Sequence, residues 1–352
     1  MVKRATEEVA AMVEEVRAEL VPDPRLGVFE VTVEVRDGTV LTLKGAVSEM
    51  EALEALRHRA ALLTGWAAVV DEVQFLPEGD PDELVHAVVS AAVAPMLAGP
   101  GITFVQVSQV VLGNRLVVLR REGRWLQCKS PDGYIGWVHA GYVALMGESE
   151  ARGWESGAEG DVWISLGAEV RADGDEVLMR LPWGARVVRG DEGLVRLPDG
   201  RAGRLHGELV PAAARPLAFP ADGAAVCESA ARWLGAPYLW SGVTMGGVDC
   251  SGFVQALWRM HGVAIPRDSD QQSRTGELLE PADDFGDLLP GDLLFFSEDG
   301  AGRVTHVAMS TGGGRIIHSS LGNGGVARND LAGRRNYERE LRRLFVCARR
   351  VA

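Results

Sequence analysis

The sequence predicts an α+β protein of several domains, and three observations predict it. Its 352 residues are more than twice the ~150 of an average domain. At 47% hydrophobic and 24% charged it has the composition of a globular chain, with apolar matter for more than one core, which excludes a disordered or fibrous protein. The pattern also changes along the chain. Helix and strand signals mix up to residue 78, short strands with turns follow, and helices and strands mix again from residue 220.

In residues 1–78, Val9, Met12, Val13, Val16 and Leu20 share one face of a helix over 5–20. Phe29, Val31, Val33 and Val35 alternate with polar residues as a half-buried strand. Asp37-Gly38 is a hairpin turn into a second strand. Ser48 and Glu51 read as a capping box for a helix carrying Met50, Leu53, Leu56, Ala60 and Leu63, and Val69–Phe75 is a last strand. This α-β-β-α-β order resembles the small BON-like modules of envelope proteins. No residue in it looks chemical.

Residues 82–148 and 157–212 carry the turn-rich short strands of two β-barrels. The first ends in Trp125-Leu-Gln-Cys-Lys and Asp132-Gly-Tyr-Ile-Gly-Trp-Val138, which resembles the closing strands of bacterial SH3-like domains. The second keeps a diluted form, Glu192-Gly-Leu-Val-Arg and Asp199-Gly-Arg-Ala-Gly-Arg. Pro211 to Pro220 reads as a stiff linker. In residues 220–352, a helix over 222–234 precedes Tyr238-Leu-Trp-Ser-Gly242. A second helix begins at Cys250 and ends near Gly262, and strands follow at 292–296, 304–310, 315–320 and 344–351. A cysteine-bearing helix on an antiparallel sheet that carries histidines is a papain-like layout.

Charge and cysteine usage narrow the function. With 36 basic against 49 acidic residues the net charge is −13, which speaks against a nucleic-acid partner. Ala87 to Asn114 has no charged side chain, but Pro95, Gly99, Pro100 and Gly101 break it too often for a membrane span, so buried β-structure is expected. The first residues show no secretion signal, which predicts a cytoplasmic protein, or an envelope protein if a leader has been removed. The four cysteines lie far apart without metal-binding spacing, and no metal or organic cofactor is expected. Cys128, Cys227 and Cys347 sit in apolar runs as structural thiols. The oligomeric state has no signature in the sequence.

Cys250 differs, because it follows Gly246-Gly247 and opens a helix, where unpaired N–H groups and the helix dipole favour thiolate. His306 opens one strand and His318 lies in the next, so two imidazoles can stand side by side, one as base and one as its orienter.

Six motifs in order make the resemblance close: Tyr238-x-Trp240-x-Gly242, Asp249-Cys-Ser-Gly-Phe253, Pro266-Arg-Asp-Ser-x-x-Gln272, Pro290-Gly-Asp-Leu-x-Phe-Phe296, His306-Val and His318. They resemble the NlpC-type cell-wall cysteine peptidases, which cut γ-D-glutamyl–diamino acid bonds of peptidoglycan stem peptides. The resemblance implies Cys250 as nucleophile, His306 as base, His318 as orienter and Tyr238 as an oxyanion donor. The paired SH3-like units resemble the subgroup acting on L-Ala-γ-D-Glu–diamino acid peptides. That implies Asp249 and Tyr134 as ligands of the free L-Ala amine, with Ser251, Asp268, Ser269 and Trp240 lining the cleft. Two departures stand out. Ser241 replaces a usual Gly, and the stretch from Val85 to Arg121 has no carboxylate where the subgroup has an amine ligand.

The expected function is thus a cysteine endopeptidase of γ-D-Glu–diaminopimelate or γ-D-Glu–Lys bonds, acting on short peptidoglycan-derived peptides. The rivals are an amidase or acyltransferase with the same triad, and a cell-wall-binding protein with a degenerate catalytic domain. The intact cysteine and histidines argue against the last.

Overall fold

The computed structural model describes residues 2–79, 86–156, 162–172, 175–190, 193–297 and 302–352. The expected first boundary of the first barrel (residue 82) and of the second (residue 157) lie outside the described residues.

The N-terminal unit runs helix Val2–Leu20, strands Phe29–Arg36 and Val40–Val47, helix Met50–Ala61 and strand Ala68–Phe75. The middle strand pairs antiparallel with the first and parallel with the last. Asp37 (φ 51°) and Gly38 (φ 69°) make the hairpin turn, a left-handed pair that suits Asp-Gly. Val9, Val13 and Val16 of the first helix bury against Leu41, Leu43, Leu53 and Leu56. The expected capping box does not form. Glu49 is the N-cap without a side-chain bond, and the Ser48 hydroxyl instead accepts from the Val28 N–H at 2.8 Å. Extending the first strand pair by one residue uses Ser48 and Val28 together, and this takes precedence over the cap.

Strands from His86–Val89 to Val143–Met146 form a seven-stranded sheet. The helix Glu148–Ser156, which the sequence reading left unassigned, buries Ala151 and Trp154 against Val88. In the second barrel Val162–Arg171 pairs with Val177–Leu181, Arg186–Arg189 and Ala202–Pro211, so the sheet closes on itself. The linker after it is packed rather than free. Arg215 donates to the Met260 carbonyl at 3.0 Å, and Phe219 is buried beside Trp183 and His261.

The C-terminal domain has a six-stranded antiparallel sheet in the order Glu277–Leu279, Phe345–Arg350, Leu293–Phe296, His306–Ser310, Arg315–Ser320, Gly325–Asp330. Phe253, Val254, Leu257 and Trp258 of the helix Cys250–Met260 bury against Phe295, Val307, Met309 and Ile317. Each fully buried side chain of this kind contributes about 1.5–3 kcal/mol, so the helix is held firmly across the sheet. The strand Gly325–Asp330 and the helix Asn336–Arg343 were not legible in the sequence. Gly324 and Gly325 read as loop, and the strand after them alternates too weakly to announce itself.

Candidate active site

The cysteine is set by its cap. Asp249 is the N-cap of the helix Cys250–Met260, and its carboxylate accepts from the Gly252 N–H at 2.6 Å. Glycine is required at 252, because a Cβ there would collide with the Gly242 carbonyl. Arg267, 1% exposed, forks onto the same carboxylate at 2.8 and 3.1 Å. It also donates to the Ser251 hydroxyl at 2.9 Å. Asp249 and Ser251, expected in the cleft, are therefore engaged within their own domain.

Cys250 lies on the helix that packs against the strand His306–Ser310, whose Val307 N–H acts on its sulfur. Burial and the Asp249 carboxylate push the thiol up, to about 12, against the pull of that N–H and of Arg267. Burial thus acts against the thiolate that the helix terminus favours.

Next to Val307, His306 Nε2 is 2.7 Å from His318 Nδ1. His318 Nε2 is 2.9 Å from Asn329 Oδ1, which also accepts from Asn323 Nδ2 at 2.7 Å. Asn323 Nδ2 also lies 3.2 Å from His318 Nε2. In the tautomer that satisfies Asn329, His318 Nε2 carries the proton and His318 Nδ1 accepts from His306 Nε2–H. His306 Nδ1 is then left as a lone pair. Burial lowers both imidazoles, His306 well below its usual value with His318 adding to the effect, and His318 to about 4. Phe296 lies against His306 and Tyr337 stacks on His318, at 5.8 and 6.2 Å between ring centres. Asn329 was missed because its strand was missed. Its signal would have been a polar residue two positions from Ala327, the partner of His318 in the ladder.

The first barrel reaches the same region. Its Tyr134 is buried, and the phenol donates to Asp268 at 3.2 Å. Burial and the Asp268 charge raise the phenol, which keeps it a donor. Arg25 of the N-terminal unit takes the same Asp268 oxygen at 2.8 Å. Ser269 is buried at the start of the helix Ser269–Gln272. Tyr238 stands in a β-bridge with Val248, two residues before the cysteine. Trp240 is 67% exposed, and its carbonyl accepts from Gln106 of the barrel at 3.2 Å. Ser241 holds φ 58°, a conformation that favours glycine, and its hydroxyl donates to the Gln106 carbonyl at 3.1 Å.

With this geometry in hand, comparison with known proteins is direct. Residues 235–343 match the NlpC/P60 family and residues 92–144 the bacterial SH3 domain. The chain carries an NlpC/P60 domain. It is a cysteine peptidase domain, and the SH3 domain precedes it. The chain is 27% identical over 230 residues to the gamma-D-glutamyl-L-lysine dipeptidyl-peptidase of Bacillus subtilis, covering 58% of this chain and 69% of that one. The Bacillus cereus protein of the same name is 29% identical over 227 residues, with 58% and 64% covered. The chain thus spans about two thirds of these relatives. The NlpC/P60 domain is also 40% identical over 78 residues to the probable endopeptidase NlpC of Escherichia coli, covering 22% of this chain and 48% of that one. Among solved structures, an NlpC/P60 family protein from Bacillus cereus aligns at TM-score 0.62 and 24% identity, over 76% of this chain and 99% of that one. At that identity the likeness establishes fold alone.

Proposed function

We propose that the chain is a cysteine endopeptidase hydrolysing the bond between γ-D-Glu and a diamino acid in short peptidoglycan stem peptides. The observation that supports this most is the buried His306–His318 pair, 2.7 Å apart, on the sheet against which the Cys250 helix packs. His306 Nδ1 takes the thiol proton as Cys250 Sγ attacks the γ-glutamyl carbonyl. The negative charge on the carbonyl oxygen is met by the Cys250 N–H and the Tyr238 hydroxyl. The protonated His306 then gives its proton to the leaving amine, and a thioester remains on Cys250. Water, deprotonated by His306, releases the acid and restores the thiol. A neutral thiol and a neutral imidazole at rest suit this sequence, since the proton moves only when the carbonyl is in place.

Recognition of the substrate's N-terminal end falls to Tyr134 and Asp268, with Ser269 and Trp240 at the cleft. The names of the Bacillus relatives support the γ-D-glutamyl bond and removal of a dipeptide. The third residue, diaminopimelate or Lys, is the variable to test. Mass spectrometry of products from a panel of defined stem peptides tests the reading. The wild type should release L-Ala-γ-D-Glu, and Cys250→Ala, folded by circular dichroism, should release none. Turnover by that variant, or cleavage at another bond, overturns the assignment.

A further inference from the structure

The N-terminal unit carries no chemical motif, yet its loop between the first helix and first strand bonds both the barrel and the catalytic domain. Asp23 Oδ1 accepts from the Arg25 N–H at 3.0 Å and holds the guanidinium at 2.7 and 2.8 Å. The Arg25 carbonyl accepts from Ile135 N–H at 2.7 Å, one residue beyond Tyr134. Gln271 of the catalytic domain donates to Asp23 at 2.8 Å. From this anchored backbone the guanidinium reaches Asp268 at 2.8 Å and forks onto Asp270 at 2.7 and 2.9 Å. Two other units therefore converge on one oxygen of Asp268, the N-terminal unit through Arg25 and the barrel through Tyr134 at 3.2 Å. A separate feature fixes the loop, since Val28, Ala46 and Leu76 bury against Leu119 and Ile135 of the barrel.

We infer that Arg25 is a positioning residue of the substrate cleft, holding the Asp268 carboxylate beside the Tyr134 hydroxyl so that it can receive the substrate's N-terminal ammonium. This rests on the functional reading above. Asp23, Asp268 and Asp270 bond Arg25 and Arg274, and Arg267 also acts on Asp268. Asp268 keeps 26% of its side chain exposed, so a ligand can reach it. It supplies a carboxylate that the barrel stretch from Val85 to Arg121 does not. Burial pushes the Asp268 carboxyl up, while Arg267 and Arg25 pull it down. The neighbouring carboxylates Asp249 and Asp132 act on the Arg267 guanidinium, which Asp249 also bonds. Removing Arg25 leaves burial less opposed, and the carboxylate is lost from the acid side first.

The test uses the full chain with Arg25→Met and Arg25→Lys. Kinetics are measured on L-Ala-γ-D-Glu-diaminopimelate with a free and with an acetylated amine. Arg25→Met should raise KM for the free-amine peptide about ten-fold, the size of one charge-assisted hydrogen bond, with kcat changed less than about two-fold. The acetylated peptide should be unaffected, and Arg25→Lys should recover part of the loss. Carbon-13 titration of the Asp268 carboxyl in a Cys250→Ala background should show it titrating at higher pH once Arg25 is Met. An equal loss on both peptides, or an unmoved Asp268 titration, overturns the inference. A wild type inert on every γ-D-glutamyl peptide overturns the functional reading instead, and the titration still decides whether Arg25 holds Asp268.

Discussion

His306 Nε2 lies 2.7 Å from His318 Nδ1, and the direction of that hydrogen bond is set one step further on, by the carboxamide oxygen of Asn329. An acceptor at Asn329 favours the proton on His318 Nε2, against the Asn323 amide 3.2 Å from the same nitrogen. With that proton in place His306 donates from Nε2 and keeps its other nitrogen basic. Asn329→Leu removes the acceptor and frees His318 to take the opposite tautomer. The expected result is a fall in kcat of about 5–150-fold, equivalent to about 1–3 kcal/mol for a buried donor left unpaired, with KM unchanged. Asn329→Asp keeps an acceptor and should lose less. A kcat for Asn329→Leu equal to the wild type removes Asn329 from the relay.

The same burial predicts how stability depends on pH. Both imidazoles titrate lower in the folded chain than the usual 6.5, His318 at about 4. Below pH 6.5 the unfolded chain takes up protons that the folded chain refuses. Their contribution is therefore complete above pH 6.5 and declines as the pH falls, by up to about 1.4 kcal/mol per unit for each histidine. The decline for His318 ends near pH 4, where the folded form also protonates. Urea midpoints at pH 7.5 and 5 should differ more for the wild type than for His318→Gln. Equal differences would show that His318 is not held neutral by the fold.

How far the sequence carries can be judged from these residues. Cys250, His306 and His318 were legible because each sits in a local pattern: a glycine-flanked helix start, a strand start, and a strand after a glycine turn. The partner of Tyr134 was not, since a contact between residues 134 and 268 depends on how barrel and catalytic domain dock. Arg25 was invisible for the same reason, as it is an ordinary charged loop residue until the N-terminal unit packs against the barrel. The burial that acts on the Cys250 thiol was not legible either, because a helix terminus is read from sequence whereas burial is not. Ser48 shows the local version of this limit, where one hydroxyl served two plausible partners and the sheet took it.

Tyr134→Phe deletes the hydroxyl that donates to Asp268. Arg25 remains on the same oxygen at 2.8 Å, so the carboxylate is not left unpaired. The loss in kcat/KM for a free-amine peptide should fall at the low end for a hydrogen bond, about 1 kcal/mol or roughly five-fold. Combined with Arg25→Met it should exceed the product of the single effects, because both partners of one oxygen are then gone. Strict additivity in that double-mutant cycle would mean that the two residues act on different parts of the substrate.

The last prediction concerns substrate size. The first barrel is fastened to the catalytic domain along the cleft rather than tethered to it. Gln109 accepts from Val243 N–H at 3.1 Å, Ser108 accepts from Arg267 at 3.2 Å, and Asp132 accepts from Gln255 at 2.8 Å. With Tyr134 and Arg25 on Asp268, the end proposed to meet the substrate's first residue is bonded by two other units. A stem peptide still joined to glycan has an amide in place of its ammonium and a sugar where this wall stands. Losing a charge-assisted contact and meeting the wall together should cost about 3 kcal/mol, roughly 150-fold in kcat/KM. The preferred substrate is then the free peptide released by an earlier cut between glycan and stem. Product release from purified sacculi and from the free tripeptide, at matched stem concentration, measures this directly. Comparable rates would require the barrel to move away from Val243 and Gln255, and a Gln109→Ala, Asp132→Ala variant that speeds sacculus cleavage alone would locate that movement.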